Sequence, residues 1–596
     1  MKLVSLEEIF NSKIFRIPDY QRGYSWKDKQ LNDIWSDIEL LRNDQKHYTG
    51  VLSVIPIGEE ANKTVHVVDG QQRLITMVIL IKVICDLFDS DDDYIPKVDK
   101  EKRDCVKRYL HFKRQGGTID EIVLGYEVDN PSHVYFKTKI LGLTDTENCG
   151  NDTLYTRNLT NAKNFFAQKL KGYDKNQAGE LFYKITKRLQ FNYYEIDDTL
   201  NEFVAFETMN NRGKPLSDLE LLKNRLIYLS TLLPDNSKEE QNELRKDINN
   251  AWKTVYEFLG KNPQQPLSDD DFLQDHWILN FKYSRESSRV YKDALLLNHF
   301  TAKQVQERKL SFDYIREYVL DIQNTVKAYY YMRNLDSGNH PYSENVREQL
   351  SKLNHLRFRA WGPLVMSILS KSWNDDTVIY VLKLAERFNF IMPHVQFRRS
   401  NYKNTDLYNC AREIHASSTE MTKEQVEKKM PYEITTSIRV SRKKFKERVY
   451  ENDEAFYEWS GLRYFLYEYE LKLQKEKRER AKVSWDNVNQ NTIEHISPQN
   501  PLSGQWVEFD PEDFPDIVHD IGNLLLLDHK KNASLSNKPF LEKRDHEKYG
   551  YRSGSYSAIE VAKENEWTPR SVDDRSERLL NFMWERWEIE DKITPS

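Results

Sequence analysis

Four cysteines in 596 residues, Cys85, Cys105, Cys149 and Cys410, include no C-x-x-C pair, which excludes both a zinc cage and a disulfide framework. Reduced and mostly buried thiols are the expectation. Long apolar runs are missing as well: the greasiest stretch, Leu74 to Ile84, is short and interrupted by Lys82. The N-terminus, Met1 to Phe10, lacks the apolar core of a secretory signal. These absences predict a cytoplasmic protein with no membrane partner. Excess positive charge is absent too: a net charge of -6 and a pI near 6.2 argue against a passive nucleic-acid coat, so any such contact must be local. No fixed-period repeat and no low-complexity tract occurs.

What is present is enough to fold. Apolar residues make up 39% and aromatic ones 12%, against 31% charged, a globular balance. The length exceeds one ordinary core, so two to four domains are expected. Basic stretches lie at Arg439 to Arg448, Lys472 to Lys482 and Lys530 to Lys548. For each alone a solvated helix face is as good a reading as a nucleic-acid contact.

The first part mixes strand and helix signals. Val51 to Ile57 and Thr64 to Asp69 read as a hairpin around Gly58. Before them Leu31, Ile34, Trp35, Ile38 and Leu41 recur at helical spacing, with Ser25 and Asp28 as a capping box. From about Pro234 to Leu473 the pattern is helical, broken at Asn262 to Pro266 and Asn334 to Pro341. The charged run Leu471 to Arg480 then enters a last section as helix or linker. The fold class expected is α+β, multidomain and mainly helical, with parts at residues 1–230, 231–470 and 471–596.

Near the C-terminus, Thr492-Ile493-Glu494-His495-Ile496-Ser497-Pro498 places an acid and a histidine at the end of a short apolar run that a proline terminates. Alone, a Glu-His pair is more often structural. Here Ile521-Gly522-Asn523-Leu524-Leu525-Leu526-Leu527 follows, then Lys530-Lys531-Asn532, then Asn537-Lys538-Pro539-Phe540 opening a charged helix. Strand, loop and helix thus each carry a polar residue. Over residues 492–544 the string resembles the HNH, or ββα-metal, nucleases, in the branch fused to restriction proteins, where E-H-I-x-P is followed by G-N-L-x-L-L and a later asparagine. Hydrolysis of a phosphodiester needs a base for water, a divalent ion to neutralise phosphate charge, and rigid placement of both. The resemblance implies His495 as the base, Glu494 and Asn532 as ligands of one Mg²⁺ or Mn²⁺, and Asn523 as the residue that orients the loop or the imidazole. The 28 positions from His495 to Asn523 exceed those of compact HNH motifs, so an insertion, Pro501 to His519, must loop out. The structural zinc of many such proteins cannot be built from these cysteines.

In the N-terminal part Asp69-Gly70-Gln71-Gln72-Arg73 follows an apolar strand and opens a helix that is hydrophobic nearly all round and therefore buried. A helix N-terminus offers unpaired N–H groups, Gly70 lets backbone approach closely, and Arg73 can fork onto phosphate oxygens. Asp69 as a simple N-cap, with Arg73 satisfied by a structural carboxylate, explains the pentapeptide equally well. Two more segments couple arginine and glycine to a following helix: Ile17-Pro18-Asp19-Tyr20-Gln21-Arg22-Gly23-Tyr24-Ser25-Trp26, and Phe206 to Ser217 with Asn210-Asn211-Arg212-Gly213 at its centre. Ser217 with Glu220 forms a capping-box pattern before the Leu219, Leu222, Leu226 face.

The order P-x-Y-Q-R-x-Y-x-W, D-G-Q-Q-R-L, F-x-x-x-N-x-R-G-x-P-L-S resembles the ParB/sulfiredoxin-like N-terminal domain of GmrSD-type restriction proteins over about residues 1–230. That resemblance implies nucleoside triphosphate binding and hydrolysis that govern a nuclease. By position, Gln21, Arg22, Asp69, Gly70, Gln71, Gln72 and Arg73 would form the nucleotide site, closed by Asn211 and Arg212. Arg22 and Arg73 would neutralise phosphates while Asp69 or a glutamine such as Gln72 orients water or magnesium. No G-x-x-x-x-G-K-[ST] loop is present, which excludes P-loop chemistry.

Both halves in one chain imply a type IV restriction enzyme that nicks or cleaves modified, phage-derived DNA. Two alternatives stay open: a nucleotide-regulated RNA or tRNA nuclease of abortive infection, and a non-enzymatic, nucleotide-switched DNA-binding protein with a decayed nuclease region. Assembly into a homo-oligomer is likewise open.

Overall fold

The protein is described by a computed structural model over residues 2–591, apart from 12, 43, 58–63, 114–119, 145–152, 198–202, 204–205, 207–215, 287–290, 357–358, 372, 400, 502–504, 511 and 513. It divides into two compact units, one of residues 1–277 and 284–330, the other of residues 278–283 and 331–596. The class is α+β and mainly helical. Among the described residues no helix is long and apolar enough to cross a membrane.

In the first unit six strands make one mixed sheet: β1 (Lys2–Ser5), β2 (Ile14–Ile17), β3 (His47–Pro56), β4 (Thr64–Asp69), β5 (Leu124–Tyr126) and β6 (Leu189–Glu195), in the order β1-β6-β3-β4-β2-β5. The expected hairpin is β3 with β4, antiparallel, and its turn lies outside the described residues. Strands β2 and β4 run parallel, which brings the C-terminal ends of both to one end of the sheet, where the P-D-Y-Q-R and D-G-Q-Q-R segments begin.

Helix α1 (Asp28–Leu40) buries Leu31, Ile34, Trp35 and Ile38 as the periodicity predicts. Its cap differs from expectation. Lys27 is the N-cap, with its N–H donated to Gln30 Oε1 at 3.0 Å. The Ser25 N–H is instead donated to Gln72 Oε1 at 2.8 Å, a tertiary bond that draws Ser25 away from the helix. Helix α2 (Gln71–Cys85) buries every residue from Leu74 to Cys85 except Lys82, and forms the centre of this unit's core. Helices α3 (Leu154–Lys169), α4 (Asp218–Ser230) and α5 (Lys238–Gly260) complete the site-bearing part. The capping box of Ser217 with Glu220 is present at the start of α4.

The second unit is mostly helical; of the two breaks read from the sequence, that at Asn334 to Pro341 falls in this unit and that at Asn262 to Pro266 in the first, after α5. Its site-bearing elements are β7 (Ile438–Val440), α6 (Arg442–Val449), α7 (Leu462–Lys477), β8 (Ile493–His495), β9 (Leu524–Leu526), α8 (His529–Leu535), α9 (Phe540–Asp545), α10 (Pro569–Arg586) and β10 (Ile589–Asp591). Helix α7 takes in the first residues of the charged run. Strands β8 and β9 pair antiparallel and α8 follows them, a strand–strand–helix unit. Strand β7 pairs parallel with β10. The apolar side of β8–β9 packs on a core of Ile496, Leu525, Leu527, Leu535 and Phe540. Buried Arg575 of α10 donates to the carbonyls of Gly522 (2.6 Å) and Leu524 (2.7 Å), fixing the start of β9. Cys85, Cys105 and Cys410 are free and buried, and Cys149 lies outside the described residues.

Candidate functional site

In the second unit, the pleat of β8 turns Glu494 and His495 to different partners. Glu494 Oε1 accepts from the Lys543 ammonium and from the Tyr551 hydroxyl, each at 2.7 Å. Glu494 is 3% exposed and Lys543 not at all. Burial pushes the Glu494 carboxyl up and the Lys543 amine down, and their mutual contact opposes both shifts. Lys543 also donates to the His495 carbonyl at 2.8 Å, so one buried cation ties down both residues of the Glu-His pair.

His495 is buried, its ring centroid 4.6 Å from that of Tyr457. Its Nε2 lies 3.3 Å from Nδ1 of His519, one nitrogen donating to the other. Burial, reinforced by the charges of His519 and Lys543, pushes the His495 imidazole down to about 3, so it is neutral around pH 7. Its Nδ1 is hydrogen-bonded to no described residue.

Asn523 is completely buried and spends its amide on backbone. Nδ2 donates to the carbonyls of Ser497 (2.9 Å) and Val518 (2.8 Å), while Oδ1 accepts from Ser497 N–H (2.9 Å) and from the Trp567 indole (3.2 Å). The two loops it clamps adjoin His495, the last residue of β8, and His519. Asn532, on α8, donates Nδ2 to the carbonyls of Asn491 (2.9 Å) and Ile493 (3.0 Å), which leaves its Oδ1 for another partner. Glu494 Oε2 likewise has no hydrogen bond or ion pair among the described residues. By donor type, two hard oxygens of this kind suit a divalent cation, which would take its remaining ligands from water and phosphate. No group of three or more His, Cys, Asp or Glu side chains suited to a metal gathers among the described residues.

Sequence reasoning missed Lys543, Tyr551, Tyr457 and His519. The one available signal was that His519 ends the insertion, four residues before Asn523.

In the first unit the structure joins the motifs. Gln21 reaches the Val67 and Val68 carbonyls at the end of β4. Gln72 accepts from Ser25 N–H and donates to the Gly23 carbonyl (3.1 Å), and the Tyr24 hydroxyl meets Thr76 Oγ1 at 2.7 Å. Arg22 faces Glu220 of α4 at 3.6 Å. Asn211 and Arg212 lie outside the described residues.

Gly70, at φ 95° and without a side-chain cap, is the N-cap of α2; Asp69 Oδ1 accepts the Gly70 N–H at 2.7 Å. Only glycine takes this backbone angle without strain. Arg73 donates Nη2 to the Val51 carbonyl (2.6 Å), lies 3.6 Å from Asp69, and fills the space where a side chain at Gly50 would stand. Gln21 Oε1, Gln71 Oε1 and Arg73 Nε are buried without a hydrogen-bond partner among the described residues. Such atoms are rarely left unsatisfied, and a polar ligand carrying both donors and anionic oxygens fits them.

Behind this surface lies a network no motif predicted. Asp19, 1% exposed, takes a two-point contact from Arg245 (2.6 and 2.5 Å), a bond from Asn249 (2.7 Å), and its carbonyl accepts from Lys223. Burial would raise the Asp19 carboxyl, but Arg245 and Lys223 outweigh it and hold it below its ordinary value. Burial pushes Lys223 down to about 8. The sequence signal for Lys223 was its place among leucines on the apolar side of α4.

The family model for the N-terminal domain of GmrSD restriction endonucleases matches residues 6–227, and that for the C-terminal domain of GmrSD restriction endonucleases matches residues 440–582. No curated protein matches the chain. The first match holds the Gln21, Asp69–Arg73 and Glu220 cluster and the second the His495, Asn523 and Lys543 cluster; carrying both domains in that order, the chain belongs to the GmrSD restriction endonuclease family.

Proposed function

We propose that this protein is a nucleotide-dependent endonuclease of type IV restriction, which nicks or cleaves modified foreign DNA at an HNH-type site around His495. The observation that carries the reading is the geometry at His495: a buried ring held at Nε2 by His519, with Nδ1 uncommitted among the described residues. A general base needs that free lone pair and a fixed ring. The His495 Nδ1 takes a proton from water, the water oxygen forms a bond to phosphorus, and the bond from phosphorus to the leaving sugar oxygen breaks, that oxygen gaining a proton from solvent. His519 is a positioning residue: accepting the His495 Nε2–H fixes the tautomer that exposes Nδ1. Asn523 positions both loops, and Lys543 holds the His495 backbone. Glu494 and Asn532 would hold Mg²⁺ or Mn²⁺, which when bound would neutralise phosphate charge and polarise water.

The N-terminal domain, ParB-like in this reading, takes a nucleoside triphosphate at Gln21, Asp69, Gly70, Gln71 and Arg73. Gln72 and Arg22 shape the site by holding the loop that carries Gln21. Asn211 and Arg212 stay part of the proposal by sequence position, as does the division at residues 230 and 470. Arg73→Ala and Asp69→Ala are each expected to lower nucleotide hydrolysis by an amount matching about 2–3 kcal/mol, the worth of one charge-assisted contact. A phosphate-release assay on purified variants checks this, and wild-type rates in both would remove the N-terminal assignment.

A further inference from the structure

The basic stretch Arg439 to Arg448 belongs to neither site. In the second unit it lines a cleft of about 700 Å³ whose charged lining is Arg398, Arg439, Lys444 and Arg448, with no acidic residue among the described lining. For a chain of net charge -6 this is a local reversal of sign. Arg439 is met from outside the lining by Glu590 (2.8 Å) and Arg448 by Glu451, while Lys444 has no ion pair among the described residues. All four cations are exposed. The floor is apolar, with Phe397 and Phe445 stacked at 6.1 Å and the Arg448 guanidinium 5.9 Å above the Phe397 ring.

The helix that lines the cleft is joined to the His495 site through few residues. Arg448 is in the last turn of α6, a helix about 12 Å long. Tyr450, directly after that helix, donates its hydroxyl to Asp520 Oδ2 at 2.5 Å, and Asp520 adjoins His519. Tyr457 then covers both imidazoles.

We propose that this cleft binds the sugar-phosphate backbone of the DNA strand beside the phosphodiester to be cut. The inference rests on the nuclease reading above and adds the surface that holds its substrate. Guanidinium and ammonium groups neutralise phosphates, and the phenylalanine floor takes the apolar faces of sugar or base. Phosphate contacts of this kind bind without regard to sequence and release counterions, so their loss is read in the salt dependence of affinity.

The test uses the full-length chain carrying His495→Ala, so that DNA stays intact, and a fluorescein-labelled duplex titrated by anisotropy over a salt series. The double change Lys444→Gln with Arg448→Gln is expected to weaken binding alike for unrelated duplex sequences and to lower the slope of log affinity against log salt by about 2, close to one per phosphate contact. Lys443→Gln, outside the cleft lining and beside Glu447, is expected to leave the slope unchanged. An unchanged slope in a double variant that melts like its parent would overturn the proposal in favour of a solvated helix face. Displacement of the duplex by a nucleoside triphosphate at equal phosphate concentration would overturn it in favour of a nucleotide pocket, and a steeper slope for RNA than for DNA would overturn the choice of polymer. Failure of the nuclease reading shows separately, as DNA left intact by the His495-bearing protein.

Discussion

His495→Ala is expected to abolish DNA cutting while nucleotide hydrolysis remains measurable. The imidazole acts only on the phosphodiester, and the residues proposed to hold nucleotide belong to the other compact unit. Loss of a general base costs two to four orders of magnitude in rate, on the order of 3 to 5 kcal/mol of barrier. His519→Phe keeps a ring beside His495 but cannot accept its Nε2–H, so a smaller loss is expected, about tenfold to a hundredfold in kcat with KM little changed, as for other residues that orient a reacting group. His519→Gln keeps an acceptor and is expected to recover part of that loss. In Asn532→Ala the base is intact, and raised Mn²⁺ is expected to restore part of the rate, which it cannot do for His495→Ala. Plasmid-nicking rates over a metal titration separate these outcomes; near wild-type nicking by His495→Ala would remove the nuclease assignment.

Lys543→Met is expected to lower the stability of the second unit by about 3–5 kcal/mol, because it strands a buried carboxylate whose charge no other described cation meets. Glu494→Gln leaves the converse, a buried ammonium with only a neutral partner, and should cost a similar amount. The double variant Glu494→Gln with Lys543→Met removes both charges while keeping an acceptor for the Tyr551 hydroxyl, so it should melt closer to wild type than either single change does. In calorimetry the single changes are expected to lower the melting of this unit by roughly 10 °C. Single variants that melt like the wild type would show that the pair does not hold the Glu-His strand.

Local signals were legible in the sequence where they outlast their surroundings. The apolar run after Arg73 becomes the buried helix α2, the Ser217–Glu220 box caps α4, and the two short apolar runs around Glu494 and Asn523 pair as β8 and β9. What escaped was set by distant parts of the chain. Ser25 leaves the helix cap because Gln72 claims its N–H from 47 residues away. Strand β6 joins the sheet between β1 and β3, and β7 finds β10, pairings that no local pattern specifies. Lys543 has the sequence context of a solvated helix, yet β8 packs over it and makes it the cation of the Glu-His strand. The insertion of Pro501 to His519 was expected to loop out, and its last residue returns to touch the His495 ring. Composition does not show this, because the return is made by Asn523 binding the Val518 carbonyl.

The most direct test of the central claim is a cleavage panel with the purified full-length protein, Mg²⁺ or Mn²⁺ and each nucleoside triphosphate, on unmodified, methylated, glucosylated and phosphorothioated plasmid beside total RNA. The account predicts strand breaks in at least one modified plasmid, dependent on both nucleotide and divalent ion and lost in His495→Ala, with RNA left whole. Degraded RNA with every plasmid intact, or no scission of either polymer at any metal concentration, would contradict it.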